Sequence, residues 1–328
     1  MDGRSVVVTG AGRGLGRAYA LDLAGRGARV VVNDLGTATD GSGSRDAGPA
    51  AQVVEEIRAA GGTAVASTAD ASSVEGTRSL IDLACAEFGS VDGVVANAGI
   101  YRPGLDFTEI DEGLLERMTA IHAFGAWRLV RAAWPRFTGC GRGRVVLVTS
   151  AAGLYGMAGN AAYSLLKAGI VGLTRTLAAE GAPHGIRVNA VAPVAWSRMS
   201  TATEGVPPEV LERMREEAPP EAVAPVVAAL LADDVPVTGE VLSAGRGRVG
   251  RVLTGETPGH SLGGRRAAAR AGPHRADQRT PLRGGDGVPG LGARDALSGS
   301  PGRGGRRGWY PAARRILHHT QTCIACTS

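Results

Sequence analysis

The sequence predicts an α/β protein built on one doubly wound parallel sheet of about seven strands, with helices on both faces. Three observations carry that expectation. From residue 4 to about 255, short β-branched runs alternate with longer helical stretches, the pattern that βαβ units leave in a sequence. A glycine cluster stands where the first strand gives way to the first helix. The interior must be filled by Ala, Val and Leu, because only 4% of the residues are aromatic in a chain that is 44% hydrophobic, a composition suited to layered sheet and helix.

The elements follow in order. A strand is expected at Ser5–Thr9, where three valines form the continuous apolar run of a strand buried on both faces. A helix over Gly14–Arg26 leads to a second valine-rich strand at Arg29–Asn33. Ala50–Ala60 carries apolar residues at three- and four-residue spacing and reads as a helix, followed by a strand at Ala64–Thr68. The same reading places a helix at Val74–Phe88, a strand at Gly93–Ala96, a long helix at Leu114–Phe137 and a strand at Arg144–Thr149. Ala161–Ala182 is the next helix, Arg187–Val191 the next strand, Glu221–Leu231 a last helix and Glu240–Ser243 a seventh strand. Residues 194–220 hold two Pro-Pro pairs and the short amphipathic run Glu209–Glu217, consistent with a mobile lid. One domain spanning residues 1–259 is expected.

Beyond it the chain changes character. Residues 260–328 are rich in Arg, Gly and Pro, with scattered apolar residues and no periodicity, so disorder is expected there. A slipped reading frame in high-GC DNA would produce the same abrupt swing. The net charge of +5 is unevenly spread: residues 261–328 hold 12 Arg and 3 Asp without Lys or Glu, a net of +9, which leaves −4 for residues 1–260. The body is mildly acidic, and nucleic-acid binding is not expected of it. His318-His319 and Cys323-x-x-Cys326 offer only a superficial likeness to half a zinc site, and no metal is expected. The first residues lack an export signal, no apolar run reaches the ~18 residues that span a bilayer, and the four cysteines show no disulfide framework. These features point to a cytoplasmic protein with no membrane partner.

Thr9-Gly10-Ala11-Gly12-Arg13-Gly14-Leu15-Gly16 follows a strand and opens a helix. Glycines there let backbone N–H groups approach a pyrophosphate, which a Cβ would obstruct. The next strand ends in Asn33-Asp34, placing an acid ~20 residues after the loop, where it can accept hydrogen bonds from ribose hydroxyls and repel a 2′-phosphate. Asp34 argues for NAD over NADP. Arg13 is a counter-signal, because its guanidinium could pair with a 2′-phosphate.

Tyr163 and Lys167 lie four apart in a helical stretch and share one face. A neutral tyrosine is a poor base at pH 7, and a neighbouring ammonium favours the phenolate. Ser150 closes the strand Arg144–Thr149, at the carboxyl edge where open α/β sheets place their sites. Of 36 basic residues, 35 are arginine and Lys167 is the single lysine. A compact ammonium reaches both a ribose hydroxyl and a phenol more readily than a planar guanidinium.

Thr-Gly-x-x-x-Gly-x-Gly at 9–16, Asn97-Ala98-Gly99, Ser150 and Tyr163-x-x-x-Lys167 together resemble the short-chain dehydrogenase/reductase family. The resemblance implies a Rossmann-like domain in which the tyrosine transfers the proton, the lysine holds the nicotinamide ribose and lowers the tyrosine pKa, and the serine positions the substrate oxygen. Asn97, Ala98 and Gly99 would line the adenosine side of the cofactor site, Asp70 would sit near the adenine, and Pro193 would shape the nicotinamide wall, with Ser197 near the carboxamide. Homo-oligomers, dimers or tetramers, are also implied.

A finer resemblance covers roughly residues 4–259. Val31-Val32-Asn33-Asp34-Leu35-Gly36 with its Gly/Ser-rich insertion, Arg131-Ala132-Ala133-Trp134, Ser197-Arg198-Met199 and Val237-Thr238-Gly239-Glu240-Val241 are similar to the dehydrogenase module of peroxisomal multifunctional enzyme type 2 and its bacterial single-module relatives. The implied substrate is a (3R)-hydroxyacyl-CoA thioester, oxidised with NAD. Two departures from the wider family stand out: His122 replaces its usual asparagine, and Pro193-Val194 its usual Pro-Gly. The subgroup shares the histidine, which would support a proton-relay water through its backbone carbonyl rather than act as a direct base. Tyr155, Met157 and Met199 could line an acyl pocket. The alternatives are an NADP-dependent ketoreductase on an acyl-carrier or polyketide substrate, and a catalytically silent NAD-binding sensor.

Overall fold

The computed structural model describes residues 1–197, 199 and 207–256. Met1–Val252 belong to one compact unit. The arginine-rich tail and the expectations placed on it lie outside the described residues.

Strands β1 (Ser5–Thr9), β2 (Arg29–Asn33), β3 (Thr63–Ser67), β4 (Gly93–Ala96), β5 (Gly143–Val148), β6 (Ile186–Val194), β7 (Val241–Gly245) and β8 (Arg248–Arg251) form a single sheet. Its order is β3-β2-β1-β4-β5-β6-β7-β8. The first seven are parallel and β8 runs antiparallel to β7. The fold is therefore the expected Rossmann-like α/β sheet with one more strand. β8 escaped the sequence reading because Arg248-Val249-Gly250-Arg251 is short, polar and at the edge. It exists because Arg246 and Gly247 both take positive φ, 48° and 75°, the turn that matches the twist of a two-residue hairpin.

The helices are α1 (Gly14–Ala24), α2 (Gly48–Ala59), α3 (Val74–Phe88), α4 (Glu112–Thr119), α5 (Ala126–Cys140), α6 (Ala151–Tyr155), α7 (Ala161–Gly181), α8 (Pro208–Glu217) and α9 (Ala224–Leu231). Local chemistry sets several of their ends. Ser73 caps α3 by accepting from Gly76 N at 2.9 Å, and Gly89 ends it at φ 78°, the left-handed position that glycine takes without penalty. Asp111 caps α4 by accepting from Leu114 N at 2.8 Å. The long helix expected over Leu114–Phe137 is not uniform: a π-helical turn, Ala120–Gly125, joins α4 to α5. Such a turn commonly marks a functional site, and it carries His122. The helix expected from Glu221 begins at Ala224, after a 3₁₀ turn at Pro220–Ala222.

The alternating side chains of each strand feed two cores. Val6, Val8, Val30, Val32 and Val146 pack with α1, α2 and α9 on one face. Val7, Val31, Val94, Val145 and Leu147 pack with α3, α5 and α7 on the other. Because both faces are covered, β1 and β5 are buried along their whole length, which explains their unbroken apolar runs. The strand order reverses between β1 and β4, so their carboxyl ends part there and open the crevice that holds ligands in such sheets.

Candidate active site

The crevice is bordered on one side by the turn after β1. Gly10 takes φ 63°, and a Cβ there would come 2.9 Å from Ala98 Cα. Asn97 Nδ2 donates to Thr9 O and Gly10 O, both at 3.0 Å, which ties the loop after β4 to the turn after β1. Thr9 adds a second tie: its hydroxyl accepts from Asn97 N at 3.1 Å and Ala98 N at 3.2 Å, and donates to Val95 O at 3.3 Å. The sequence reading did not single out Thr9 as a site residue, although it opens the glycine motif. Gly10, Arg13, Gly14, Leu15, Gly16, Asp34, Asp70, Asn97, Ala98 and Gly99 all border this one cleft. The residues of the β1 to β4 segment expected to hold the cofactor are thus brought to one place.

The cradle fits a dinucleotide. α1 begins at Gly14 without a side-chain cap and without an acidic residue in its first turn, so its uncapped N–H groups and positive dipole end are available to an anion. Nothing lies within 4 Å of a Cβ placed on Gly14: that position faces open space. At the far end, Asp34 is held by two backbone donors, Gly12 N to Oδ2 and Gly36 N to Oδ1, each at 2.8 Å. Each carboxylate oxygen retains acceptor capacity for a ribose hydroxyl. Arg13 reaches toward the same region and donates to Thr37 O at 3.4 Å. Asp70 accepts from Ser72 N at 2.9 Å and Ser72 Oγ at 2.6 Å and pairs with Arg45 at 3.2 Å.

Ser150, Tyr163 and Lys167 meet at the carboxyl end of β5. Ser150 caps α6, its oxygen accepting from Ala152 N at 3.2 Å. α6 and α7 touch closely, since a Cβ on Gly153 would lie 2.7 Å from Ala168 N. That approach brings Ser150 to the α7 residue Tyr163, whose phenol its hydroxyl influences. Lys167 is buried, and its ammonium donates to Val148 O at 2.8 Å and lies 5.7 Å from the centre of the Tyr163 ring. Thr149 fixes the same turn of α7 by donating to Lys167 O at 2.6 Å, a contact that no spacing in the sequence announced.

The electrostatics depart from the expectation in one respect. Burial pushes the Tyr163 phenol up to about 12, Ser150 opposes this, and Tyr101 adds to it. Burial also pulls Lys167 down to about 8. Burial is the largest influence on the phenol, and the Lys167 ammonium is directed at the Val148 carbonyl.

His122 is buried, and its ring stands edge-on to Tyr163 with centroids 5.3 Å apart and planes at 87°. Nε2 lies 2.7 Å from Ile100 O and 3.2 Å from Ile100 N, while Nδ1 has no partner among the described residues. Burial, and secondarily the charge of Lys167, pulls His122 down to about 3, against the raising influence of the Ile100 bond. It is neutral at neutral pH and buried. Pro193 sits near the carboxyl end of β6, opposite Ala244, and Ser197 and Met199, a few residues on, border the cleft. Thr37, Ala38 and Thr39 of the insertion after β2 also border it, and sequence spacing did not reveal them.

A crevice at the switch point, an anion-binding helix start and a Ser-Tyr-Lys cluster define a nucleotide-dependent oxidoreductase of Rossmann type. Residues 4–204 match the short chain dehydrogenase family model, and the chain belongs to that family. It is 47% identical over 249 residues to a short-chain type dehydrogenase/reductase of Mycobacterium tuberculosis, covering 76% of this chain and 84% of that one. It is 43% identical over 258 residues to peroxisomal multifunctional enzyme type 2 of Mus musculus, covering 79% of this chain but about a third, 34%, of that protein. The fold superposes on a short chain dehydrogenase from Mycobacterium avium with TM-score 0.69 and 37% identity, over 80% of this chain and 90% of that one. The protein is accordingly a dehydrogenase/reductase acting on CH–OH groups of small molecules with a nicotinamide dinucleotide.

Proposed function

We propose that the protein oxidises a secondary alcohol with NAD, and that the alcohol is a 3-hydroxyacyl-CoA-type thioester. The observation that carries the reading is the gathering of Ser150, Tyr163 and Lys167 at the carboxyl end of β5, beside a cleft whose far wall holds Asp34. The substrate class rests on the resemblance to the multifunctional enzymes, whose matched portion corresponds to this chain. Gly10, Gly14, Leu15 and Gly16 would hold the pyrophosphate, Asp34 the adenosine ribose, and Lys167 the nicotinamide ribose; NAD supplies the hydride acceptor. Ser150 orients the substrate hydroxyl by hydrogen bonding, and Tyr163, in its phenolate form, receives that hydroxyl's proton as the carbinol hydride leaves. A ribose hydroxyl bound by Lys167 would carry the ammonium's influence to the phenol and offset the burial that holds its pKa high. His122 takes no proton in this scheme.

A spectrophotometric assay at 340 nm with (3R)-3-hydroxybutyryl-CoA tests the reading, with NAD and NADP added separately. The expected result is NAD reduction that Tyr163→Phe abolishes. A clear NADP preference would favour the second reading, an acyl-carrier or polyketide ketoreductase in which Arg13 pairs with the 2′-phosphate. A parent that binds NAD by calorimetry but reduces it with no secondary alcohol would point instead to a catalytically silent NAD sensor, and a Tyr163→Phe protein as active as an active parent would remove Tyr163 from the proton transfer. Phe124, Trp127 and Leu165 are exposed on the outer helices, and apolar exposure of this kind supports a homo-oligomer; a monomer by light scattering would overturn that part.

A further inference from the structure

Two rings stand against Tyr163, that of His122 on the π-helical turn and that of Tyr101 on the loop after β4. His122 and Tyr101 both pair with its ring edge-to-face, the Tyr101 pair with centroids 5.1 Å apart and planes at 70°, the geometry that aromatic pairs favour. Both neighbours are set by residues 99–101. Ile100 holds the His122 ring through Nε2, and a Cβ on Gly99 would press 3.0 Å from His122 Nδ1. Tyr101 is next in the chain, and its backbone N–H donates to Thr39 O at 2.8 Å. Thr39 belongs to the insertion that borders the dinucleotide cleft. The insertion is folded on itself, with Ala38 N donating to Ser42 O at 2.9 Å and Gly41 N to Ala38 O at 3.0 Å. Gly41 also abuts Ile100, whose Cγ2 would lie 3.0 Å from a Cβ there. The loop after β4 is thus clamped between the insertion and the π-helical turn, with the Tyr101 ring in contact with that of Tyr163.

We propose that Tyr101 is a positioning residue for the reaction: with His122 it forms an aromatic clamp that fixes the Tyr163 ring, and Thr39 of the insertion fixes Tyr101. The clamp matters because Tyr163 has one ring on which to align its hydroxyl with Ser150 and the substrate oxygen. Proton transfer demands hydrogen-bond reach, and misplacement by about 1 Å can cost on the order of a hundredfold in rate. Tyr101 acts through its ring, so phenylalanine should replace it and a small residue should not. The phenol of Tyr101 also raises the pKa of Tyr163, so its loss should move the alkaline-going limb of the rate profile toward lower pH.

The inference rests on Tyr163 as the proton-transferring group, and the experiment separates the two. Full-length Tyr101→Phe and Tyr101→Ala are compared with the parent using NAD and (3R)-3-hydroxybutyryl-CoA, with NAD affinity measured by calorimetry. Tyr101→Phe should stay within about threefold of the parent kcat. Tyr101→Ala should lose about tenfold or more in kcat, with NAD affinity within about twofold and the pH midpoint moved down. A Tyr101→Ala enzyme with parental kcat overturns the proposal. So does a Tyr101→Phe enzyme as impaired as Tyr101→Ala, since the hydroxyl and not the ring would then act. Joint loss of kcat and NAD affinity in Tyr101→Ala also overturns it, because the residue would then be holding the cleft as a whole. A substrate-free readout is the ¹⁹F spectrum of protein labelled with 3-fluorotyrosine, in which the Tyr163 signal is identified by its loss in Tyr163→Phe. That signal should shift in Tyr101→Ala and move much less in Tyr101→Phe, and an unmoved signal in both would refute the clamp. A parent protein inactive on the thioester would sink the substrate reading while the ¹⁹F comparison still decided the clamp.

Discussion

Two glycines of the phosphate loop should respond in opposite ways to the same methyl group. A Cβ added at Gly16 would run into the Gly10 carbonyl oxygen and lie 2.6 Å from Asn97 Nδ2 and 2.7 Å from Gly10 C. Comfortable separation begins at about 3.5 Å, and the Gly10 oxygen is the nearest atom, so α1 and the turn after β1 would have to part by more than about 1 Å. The two atoms struck are the donor and acceptor of the 3.0 Å bond that ties the loop after β4 to the glycine turn. Overpacking of this kind costs about 1–3 kcal/mol, which for a domain of this size corresponds to a melting temperature lower by roughly 2–12 °C. At Gly14 a Cβ meets nothing within 4 Å. Its cost is the left-handed backbone, φ 53°, about 1–2 kcal/mol, but the methyl would project into the space proposed for the pyrophosphate. Gly16→Ala should therefore be the less stable protein in the absence of nucleotide. Gly14→Ala should lose at least tenfold in NAD affinity for a smaller loss of stability. Thermal unfolding and calorimetry on the two proteins suffice. If Gly14→Ala melts lower than Gly16→Ala, or if either binds NAD as the parent does, the account of the loop is wrong.

Asp34→Asn keeps an acceptor for one of Gly12 N and Gly36 N, which Asp34 serves with separate oxygens, and removes a charge. Relief of a repulsion of about 1–4 kcal/mol against a 2′-phosphate should raise the NADP-to-NAD ratio of kcat/KM tenfold or more, and an unchanged ratio would detach Asp34 from cofactor choice. Thr149→Val removes the 2.6 Å bond to Lys167 O and should cost about 1 kcal/mol by denaturant titration; the absence of any change would show that α7 is positioned by packing alone. His122, with a folded pKa of about 3 against about 6.5 unfolded, binds its proton more readily in the unfolded chain. Its contribution to stability is present above pH 6.5 and is lost as pH falls toward 3. Between pH 7 and pH 5 the parent should lose about 2 kcal/mol more than His122→Gln, and parallel stability curves would contradict a buried neutral ring.

Much of this site was legible in the chain because its determinants are local. The glycine turn, Asp34 at the end of β2, and Tyr163 four residues before Lys167 each follow from a strand end, a helix start or one helical face, and periodicity locates all three. The strand and helix limits agreed to within a few residues for the same reason: runs such as Val145-Val146-Leu147-Val148 can be buried on both faces only in a covered parallel sheet. The sequence alone also singled out Lys167, the one lysine among 36 basic residues.

Contacts between distant segments were decided only by the tertiary structure. Thr9 bridges to residues 97 and 98, Thr149 to Lys167, Thr39 to Tyr101 and Tyr101 to Tyr163; none of these pairs has a spacing that a helix or strand repeat would reveal. The π-helical turn under His122 was hidden in a pattern that also suits an ordinary helix, since it alters helical phase at only a few positions. The pKa values of Tyr163, Lys167 and His122 belong to the same class. A four-residue spacing shows that an ammonium and a phenol share a helix face, whereas depth of burial and the position of the Val148 carbonyl determine how strongly one acts on the other. Sequence therefore determined which residues stand at the ends of which elements, and packing determined what those residues touch and how readily they hold a proton, because burial and close approach arise only when segments far apart in the chain are brought together.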